Sequence, residues 1–105
     1  MTIIKKIKSQ ILNSPILIYM KGSPENPQCG FSARAVQALS LCVNNFDYVD
    51  VLINPEIRKE LPKYSKWPTF PQLWVNKNLI GGSDIIIELL KNGKLKKILK
   101  SATLK

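Results

Sequence analysis

Histidine is absent from this chain of 105 residues, and other reactive residue types are scarce. Without histidine there is no Ser-His-Asp or Cys-His catalytic arrangement and no histidine-rich metal site. Two cysteines are present, which is too few for the disulfide framework of a small secreted protein. Any chemistry must therefore rest on a thiol, a carboxylate, a lysine, a tyrosine or a bound small molecule.

Acidic residues are also few: there are seven, against 16 lysines and arginines, for a formal net charge of +9. Such a charge is typical of nucleic-acid-binding proteins. However, only Arg34 and Arg58 are arginines, the residue type that favours base edges and phosphates, and the lysines are spread along the chain. We therefore expect no specific nucleic acid partner, while attraction of an anionic ligand or an acidic partner stays open.

Long apolar runs are missing as well. No stretch reaches the roughly 20 residues that span a bilayer. Residues 1–10 alternate isoleucine with lysine and do not form the apolar segment of a secretory signal. We expect no membrane association and a cytoplasmic location, with an organelle as the alternative if a transit peptide has been removed. The length suits a single domain, residues 1–105, with one modest core.

Helical and strand patterns alternate along the chain, which indicates an α/β fold. Strands are predicted at 16–20 and 46–52, and the helix that joins them, 29–44, makes them parallel. Two short antiparallel strands, 72–75 and 79–80, follow around a turn. The remaining elements are a loop at 21–28 and helices at 2–13, from 54 until it fades near 62, at 83–92 and at 94–100. Thr2 is predicted to cap the first of these helices, and Asn54 is predicted as the N-cap of the helix that begins at 54, with Pro55 in its first turn.

Cys29 follows a proline-rich loop and stands at the start of the second helix. Unpaired backbone N–H groups and the helix dipole stabilise an anion at that place, so the pKa of Cys29 should be depressed, and Lys21 at the base of the loop adds positive charge. The alternative is a buried structural cysteine. Because Ser32 occupies the position three residues on, no C-x-x-C disulfide pair is available, and sulfur chemistry must recruit an outside thiol.

The run Cys29-Gly30-Phe31-Ser32 resembles the C-G-F-S motif of monothiol glutaredoxins. The resemblance extends over essentially the whole chain, because the Lys-Gly start of the active-site loop, the run Trp67-Pro68-Thr69-Phe70-Pro71 and the run Gly81-Gly82-Ser83-Asp84 occur in the family's order. The chain looks like the short, single-domain bacterial type. The resemblance implies a thioredoxin-like (glutaredoxin) fold, in which helices flank a central four-stranded mixed sheet.

The resemblance also implies a glutathione site. Phe70, which would precede a cis-proline, would pair its backbone with the cysteine of glutathione. Ser83 and Asp84 would bind the γ-glutamyl end at a helix N-terminus, and Lys21 and Arg58 would contact the glycine carboxylate. The alternatives are an ordinary strand-entry proline, simple helix capping by Ser83 or Asp84, and solvated surface cations. Many relatives carry cysteine where this chain has Ser83, so no internal disulfide from that position is expected.

The function that the resemblance implies is carriage of an iron–sulfur cluster. A [2Fe–2S] cluster takes four thiolates. Cys29 from each of two chains and two glutathiones would supply them in a cluster-bridged homodimer that transfers its cluster to apo-proteins. The family also pairs with BolA-type proteins. The alternative is a glutathione-dependent thiol–disulfide oxidoreductase in which Cys29 attacks a glutathione mixed disulfide, a turnover at which the C-G-F-S class is poor.

The other candidate residues are assigned no chemistry. Cys42 lies on the apolar face of the second helix, and we predict that it is a core residue. Phe31 and Trp67 are expected to rim the site as apolar contacts, with a structural role as the alternative for Trp67. The remaining aromatic residues that we considered are predicted to be core or edge residues: Tyr19, Tyr48, Tyr64 and Trp74.

Overall fold

The computed structural model describes residues 2–103, so Met1, Leu104 and Lys105 of the predicted domain lie outside the described residues. Helices and short strands alternate along this range. The helices are α1 (Ile3–Asn13), α2 (Gly30–Cys42), α3 (Pro55–Ser65), α4 (Ser83–Lys91) and α5 (Lys94–Thr103). The strands are β1 (Ile16–Met20), β2 (Gly22–Ser23), β3 (Asn26–Pro27), β4 (Asp47–Asp50), β5 (Gln72–Val75) and β6 (Asn78–Gly81).

Four of the strands form one mixed sheet in the order β4-β1-β5-β6. Strand β1 is parallel to β4 and antiparallel to β5, and β6 completes the sheet antiparallel to β5. The parallel pair is joined by α2, as the alternating pattern predicted. The predicted four-stranded mixed sheet flanked by helices is therefore confirmed.

Alternation along β1 divides the core between the two faces of the sheet. Ile16, Ile18 and Met20 pack with α2, α4 and α5 on one face. Leu17 and Tyr19 pack with α1 and α3 on the other face. Since every residue of β1 is buried, the strand gives the loop that follows it a rigid starting point.

The capping prediction at α1 is confirmed, because the Thr2 hydroxyl accepts a hydrogen bond from the Lys5 N–H at 3.2 Å. At α3, the predicted N-cap residue Asn54 and the predicted first-turn proline Pro55 are also confirmed. The Asn54 side chain makes no cap hydrogen bond to the helix that it precedes. Its Nδ2 instead donates to the Asp50 carbonyl at 2.8 Å and holds the chain that leads into α3.

The prediction that α3 fades near Pro62 is wrong, because the helix continues to Ser65. Proline removes one helical N–H, but only the last turn lies beyond it. That turn is closed by the Trp67 N–H, which donates to the Pro62 carbonyl at 3.2 Å, and Lys66 ends the helix in the left-handed conformation. Tertiary contacts of the buried Leu61 hold the same turn against the sheet.

The segment expected to be a plain loop, 21–28, contains the small hairpin β2–β3, in which Gly22 pairs with Pro27. The strand expected at 46–52 is shorter and ends at Asp50. One cause links the two differences: the Asp50 carboxylate accepts from the backbone N–H of both Gly22 and Leu52, at 3.0 and 2.9 Å. These bonds turn the chain out of β4 and fix the hairpin beside it.

In the described part of the chain, no helix combines the length and the apolar character needed to cross a membrane.

Candidate functional site

A cleft of about 750 Å³ opens where the loop after β1, the start of α4 and the 67–71 loop meet. It contains every residue that the sequence proposed for the site: Lys21, Cys29, Arg58, Phe70, Ser83 and Asp84. The rest of its lining is mostly apolar: Phe31, Pro62, Trp67, Pro68, Thr69, Pro71, Gly82 and Ile85. Residues from five separate stretches of the chain therefore share one pocket, although their individual roles stay predictions.

Cys29 is the N-cap residue of α2, and its side chain is partly exposed in the cleft. Partial burial acts to raise the pKa of Cys29. Hydrogen bonding from the backbone and hydroxyl of Ser32 and from the Phe31 N–H, together with the charge of Lys21, outweighs burial and lowers this pKa below its ordinary value. The fold therefore favours the thiolate, the form that attacks disulfides and binds metals.

The second cysteine has the opposite environment. Cys42 is the last residue of α2 and packs against the core, as predicted. Burial raises the pKa of the Cys42 thiol, and Lys96 offsets this only in part. Both cysteines are free thiols, and Cys42 does not line the cleft. The low-pKa thiol of the site is therefore Cys29.

Ser32 is a functional residue that the sequence reasoning missed. Ser32 is fully buried, and its hydroxyl oxygen accepts a hydrogen bond from the Lys21 N–H at 3.1 Å. The same hydroxyl hydrogen-bonds to the Cys29 sulfur and lowers the pKa of that thiol. The serine thus connects the base of the active-site loop to the thiolate. A signal was available, because the third residue of a helix faces the N-cap side chain.

The Phe70–Pro71 peptide bond is cis, as predicted. Within residues 2–103, no hydrogen bond involves the N–H or the C=O of Phe70. Both groups remain available to pair with an extended peptide ligand in the manner of an added strand.

The start of α4 supplies backbone N–H groups to the cleft. Gly82 is the N-cap residue, so the alternative of simple capping by Ser83 or Asp84 is wrong. A Cβ atom at Gly82 would lie 3.2 Å from the Pro71 carbonyl and 3.4 Å from Trp67 Nε1, which explains why glycine stands there. The Asp84 side chain is exposed in the first turn, whereas the buried Ser83 hydroxyl has no hydrogen-bond partner. Ser83 therefore offers the cleft its backbone and not its hydroxyl.

Lys21 and Arg58 bring positive charge to the cleft from the β1 loop and from α3. Neither forms an ion pair with an acidic side chain in the described range. Asp84 contributes a negative charge from α4. The cleft therefore suits an elongated ligand that carries carboxylates and an ammonium group.

Next to Cys29 the surface is apolar and open. Phe31 is 54% exposed and Ile85 is 37% exposed. The Arg34 guanidinium lies over the Phe31 ring, 4.9 Å from its centroid. Among residues 2–103 there is no group of three His, Cys, Asp or Glu side chains that could hold a metal ion. A metal at Cys29 would therefore need ligands from outside this chain.

Comparison with known proteins identifies a family and relatives that this chain resembles. The model of the glutaredoxin family matches residues 16–80. Glutaredoxin 4 of Buchnera aphidicola subsp. Schizaphis graminum is 62% identical over 104 residues, which cover 99% of this chain and 97% of that protein. Glutaredoxin 4 of Escherichia coli K12 is 59% identical over 104 residues, covering 99% and 90%.

Solved structures give the same result. The solution structure of reduced poplar apo GrxS14 superposes with a TM-score of 0.81 at 36% identity, covering 97% of this chain and 94% of that one. The predicted thioredoxin-like fold is thereby confirmed in its glutaredoxin form. With a family model over more than half of its length and relatives at about 60% identity, the chain belongs to the glutaredoxin family.

Proposed function

We propose that this protein is a monothiol glutaredoxin of the C-G-F-S type, which binds glutathione and, as a homodimer, carries a bridging [2Fe–2S] cluster for transfer to apo-proteins. One observation carries the proposal. A single cleft joins the low-pKa thiol of Cys29 to the unpaired backbone of Phe70, to two cations and to the N-terminus of α4.

The glutathione part of the proposal follows from the chemistry of the cleft. Glutaredoxins bind glutathione, a tripeptide with a carboxylate at each end, an ammonium group and a central thiol. Lys21 and Arg58 suit the glycine carboxylate. The backbone of Ser83 and the side chain of Asp84 suit the carboxylate and the ammonium group of the γ-glutamyl end. Phe70 would pair with the central cysteine and direct its sulfur towards Cys29.

The cluster is proposed as cargo, and two chains together would supply two of the four thiolates that it takes. A thiolate is the ligand that iron–sulfur clusters take. Cys29 offers one such ligand per chain, and glutathione bound beside it would offer another. The exposed apolar side chains of Phe31 and Ile85 give a second copy a surface to approach next to the thiol. Two chains and two glutathiones would then complete the set.

A ligand set that is half glutathione would exchange readily, because glutathione is held without a covalent bond to the chain. Ready exchange suits a carrier that delivers its cluster to apo-proteins or shares it with a BolA-type partner. The proposal places the protein in the cytoplasm, where the glutathione pool keeps thiols reduced.

The second candidate function is glutathione-dependent reduction of mixed disulfides, and the lowered pKa of Cys29 favours it. The Cys29 thiolate would attack the glutathione sulfur and release the other thiolate. Because Ser32 replaces a second cysteine, a free glutathione would then attack the adduct, forming glutathione disulfide and restoring Cys29.

The test is anaerobic reconstitution with iron, sulfide and glutathione, followed by size-exclusion chromatography with detection of visible absorbance. We expect a coloured dimer that requires glutathione, that is lost in Cys29→Ser and that is retained in the matched control Cys42→Ser. A colourless monomer under all these conditions would overturn cluster carriage. Rapid reduction of a glutathione mixed disulfide by that monomer would then support the second function.

A further inference from the structure

Gln72 is a fully buried polar residue that begins β5, directly after the cis peptide bond. An amide removed from water needs hydrogen-bond partners. Its Nε2 donates to the carbonyl oxygens of Trp67, at 2.9 Å, and Thr69, at 3.4 Å. Its Oε1 accepts from Trp74 Nε1 at 3.3 Å. The orientation of the amide is chemically determined, because a carbonyl only accepts and an indole only donates.

The two carbonyl partners belong to the 67–71 loop, which forms one wall of the cleft. Prolines at 68 and 71 have no N–H, so this loop has few backbone donors with which to join a sheet or a helix. Its first residue is held by the Trp67 N–H, which donates to the Pro62 carbonyl and the Ser65 hydroxyl, each at 3.2 Å. The carbonyl oxygens of Trp67 and Thr69 accept from the Gln72 side chain, which lies on the buried side of the wall.

The hydrogen bond to the Thr69 carbonyl also orients the Thr69–Phe70 peptide group relative to the cleft. The Thr69 carbonyl and the Phe70 N–H belong to the same planar peptide unit and point in opposite directions, since that bond is trans. When the carbonyl faces the buried Gln72 amide, the Phe70 N–H faces away from the core and towards the cleft. That N–H is one of the two unpaired backbone groups proposed to pair with glutathione.

The Oε1 atom of the Gln72 amide also has a buried hydrogen-bond partner. Trp74 is 7% exposed, so its indole N–H needs a buried acceptor, which Gln72 Oε1 supplies. The Trp74 ring stacks on Tyr64 of α3, with the ring centroids 6.3 Å apart. The amide thus connects the cleft wall to the strand and helix behind it.

We propose that Gln72 is a positioning residue for glutathione, which sets the Thr69–Phe70 peptide plane without itself touching the ligand. Gln72 does not line the cleft, so any effect on binding must pass through the wall. The inference rests on the glutathione site of the proposed function. The role of Gln72 does not depend on the iron–sulfur cluster.

The test compares Gln72→Met with the parent and with Gln10→Met. Both substitutions replace an amide by an apolar side chain of similar length. Gln10 Oε1 accepts from the buried Tyr19 hydroxyl at 2.9 Å and does not line the cleft, so its loss also removes a partly buried hydrogen bond. Glutathione affinity is measured by calorimetry without iron, the free energy of unfolding by urea, and the amide resonances of 69 and 70 by NMR.

We expect Gln72→Met to weaken glutathione binding about tenfold, the scale of one or two lost hydrogen bonds. The amide resonances of Thr69 and Phe70 should shift in the ligand-free protein, whereas Gln10→Met should lower stability and leave affinity unchanged. A merely structural role would give both variants the same affinity. Unchanged affinity and unchanged resonances in Gln72→Met, with a parent that binds glutathione, would overturn the positioning role alone. A parent that does not bind glutathione would overturn the proposed function and this inference together.

The variant Gln72→Glu tests the Nε2 donor of the amide separately from its Oε1 acceptor. The ionised carboxylate keeps an acceptor for Trp74 but has no donor for the carbonyls of Trp67 and Thr69. Burial beside two carbonyl oxygens favours the protonated carboxyl group, whose O–H can donate to them, so glutathione binding should weaken only as the pH rises and this group ionises. Affinity equal to that of the parent across the pH range would contradict the role assigned to the Nε2 donor.

Discussion

At the scale of single residues, the site depends on which groups face the Cys29 sulfur. Burial alone would raise the pKa of Cys29, as it does for Cys42 on the same helix. The two thiols differ because the start of α2 brings unpaired N–H groups, a serine hydroxyl and Lys21 to Cys29. The helix end that holds Cys42 provides no such donors. The position of a thiol along a helix therefore decides its reactivity.

Replacing Ser32 by alanine should raise the pKa of Cys29, because the variant loses a hydroxyl that stabilises the thiolate. Titration of thiolate absorbance should show the transition at higher pH than in the parent. In the parent, the lowered pKa means that the thiolate contributes stability above the pKa of unfolded cysteine. This contribution is lost as the pH falls through the folded pKa, and it should be smaller in the variant.

Ser40→Ala is the control for Ser32→Ala, because Ser40 is exposed on the same helix. It should leave the titration unchanged. A Cys29 transition at the parent pH in Ser32→Ala would contradict the role assigned to the hydroxyl.

Ser83→Ala should stabilise the protein by roughly 1 kcal/mol, because it removes a buried hydroxyl that has no hydrogen-bond partner. Urea unfolding measures the change. Glutathione affinity should stay as in the parent, since the hydroxyl is buried and only the backbone of Ser83 is available to a ligand. A large loss of affinity would show that the hydroxyl contacts glutathione after all.

At the scale of elements, the shortest ones position the site. The β2–β3 hairpin has two residues per strand, and it holds the loop between Lys21 and Cys29. It is fastened by the Gln28 N–H, which donates to the Lys21 carbonyl at 2.9 Å, and by Asp50 of the neighbouring β4. The thiol is therefore presented by a small ordered element and not by a free loop.

Gly22→Ala should destabilise the protein by about 2 kcal/mol or more, as measured by urea unfolding. Gly22 has φ of +92°, and an added Cβ would lie 2.5 Å from the Asn26 carbonyl oxygen and 2.7 Å from the Gln28 nitrogen. Gly93 is the matched control, because its φ is +80° but nothing lies within 4 Å of an added Cβ. Gly93→Ala should therefore cost only about 1 kcal/mol, the conformational part of the effect. Equal losses in the two variants would contradict the crowding argument for the hairpin.

At the scale of the whole molecule, excess positive charge is the dominant electrostatic feature. With 16 basic and seven acidic residues, at least nine basic residues have no acidic side chain of their own to pair with (16 − 7 = 9). The exposed ion pair between Lys63 and Glu60, at 3.4 Å, is of the kind that contributes little. Mutual repulsion of like charges should therefore oppose the compact state.

Added salt should stabilise the protein, because it screens this repulsion. Raising sodium chloride from about 10 mM to about 200 mM shortens the screening length to below about 10 Å, and the melting temperature should rise by a few degrees. Thermal unfolding followed by circular dichroism measures the change. A melting temperature that falls with salt would show that attractive pairs outweigh the repulsion.

With glutathione bound as proposed, salt should also weaken its binding, because salt screens the attraction between the ligand's carboxylates and the charges of Lys21 and Arg58. Added salt should therefore raise the melting temperature and lower the affinity for glutathione. Both quantities can be measured on the same samples, by thermal unfolding and by calorimetry.

Elements with strong local signals were predictable from the order of residues alone. Apolar spacing set α1, and continuous apolar character set β1. The residue types around Cys29 indicated the thiol site, and the resemblance of the run Thr69-Phe70-Pro71 to the family's segment implied the cis-proline. These features were predictable because each depends on neighbours within a few positions in the chain.

Features that depend on residues far apart in the chain emerged only from the folded structure. The hairpin after β1 needs Asp50 from β4, the last turn of α3 survives Pro62 because Leu61 is buried, and the cleft wall is held by the amide of Gln72. None of these contacts leaves a periodic pattern in the sequence, because each joins a single polar or apolar group to a partner chosen by the fold. The chemistry of the site is local to the motif, but its geometry belongs to the packed molecule.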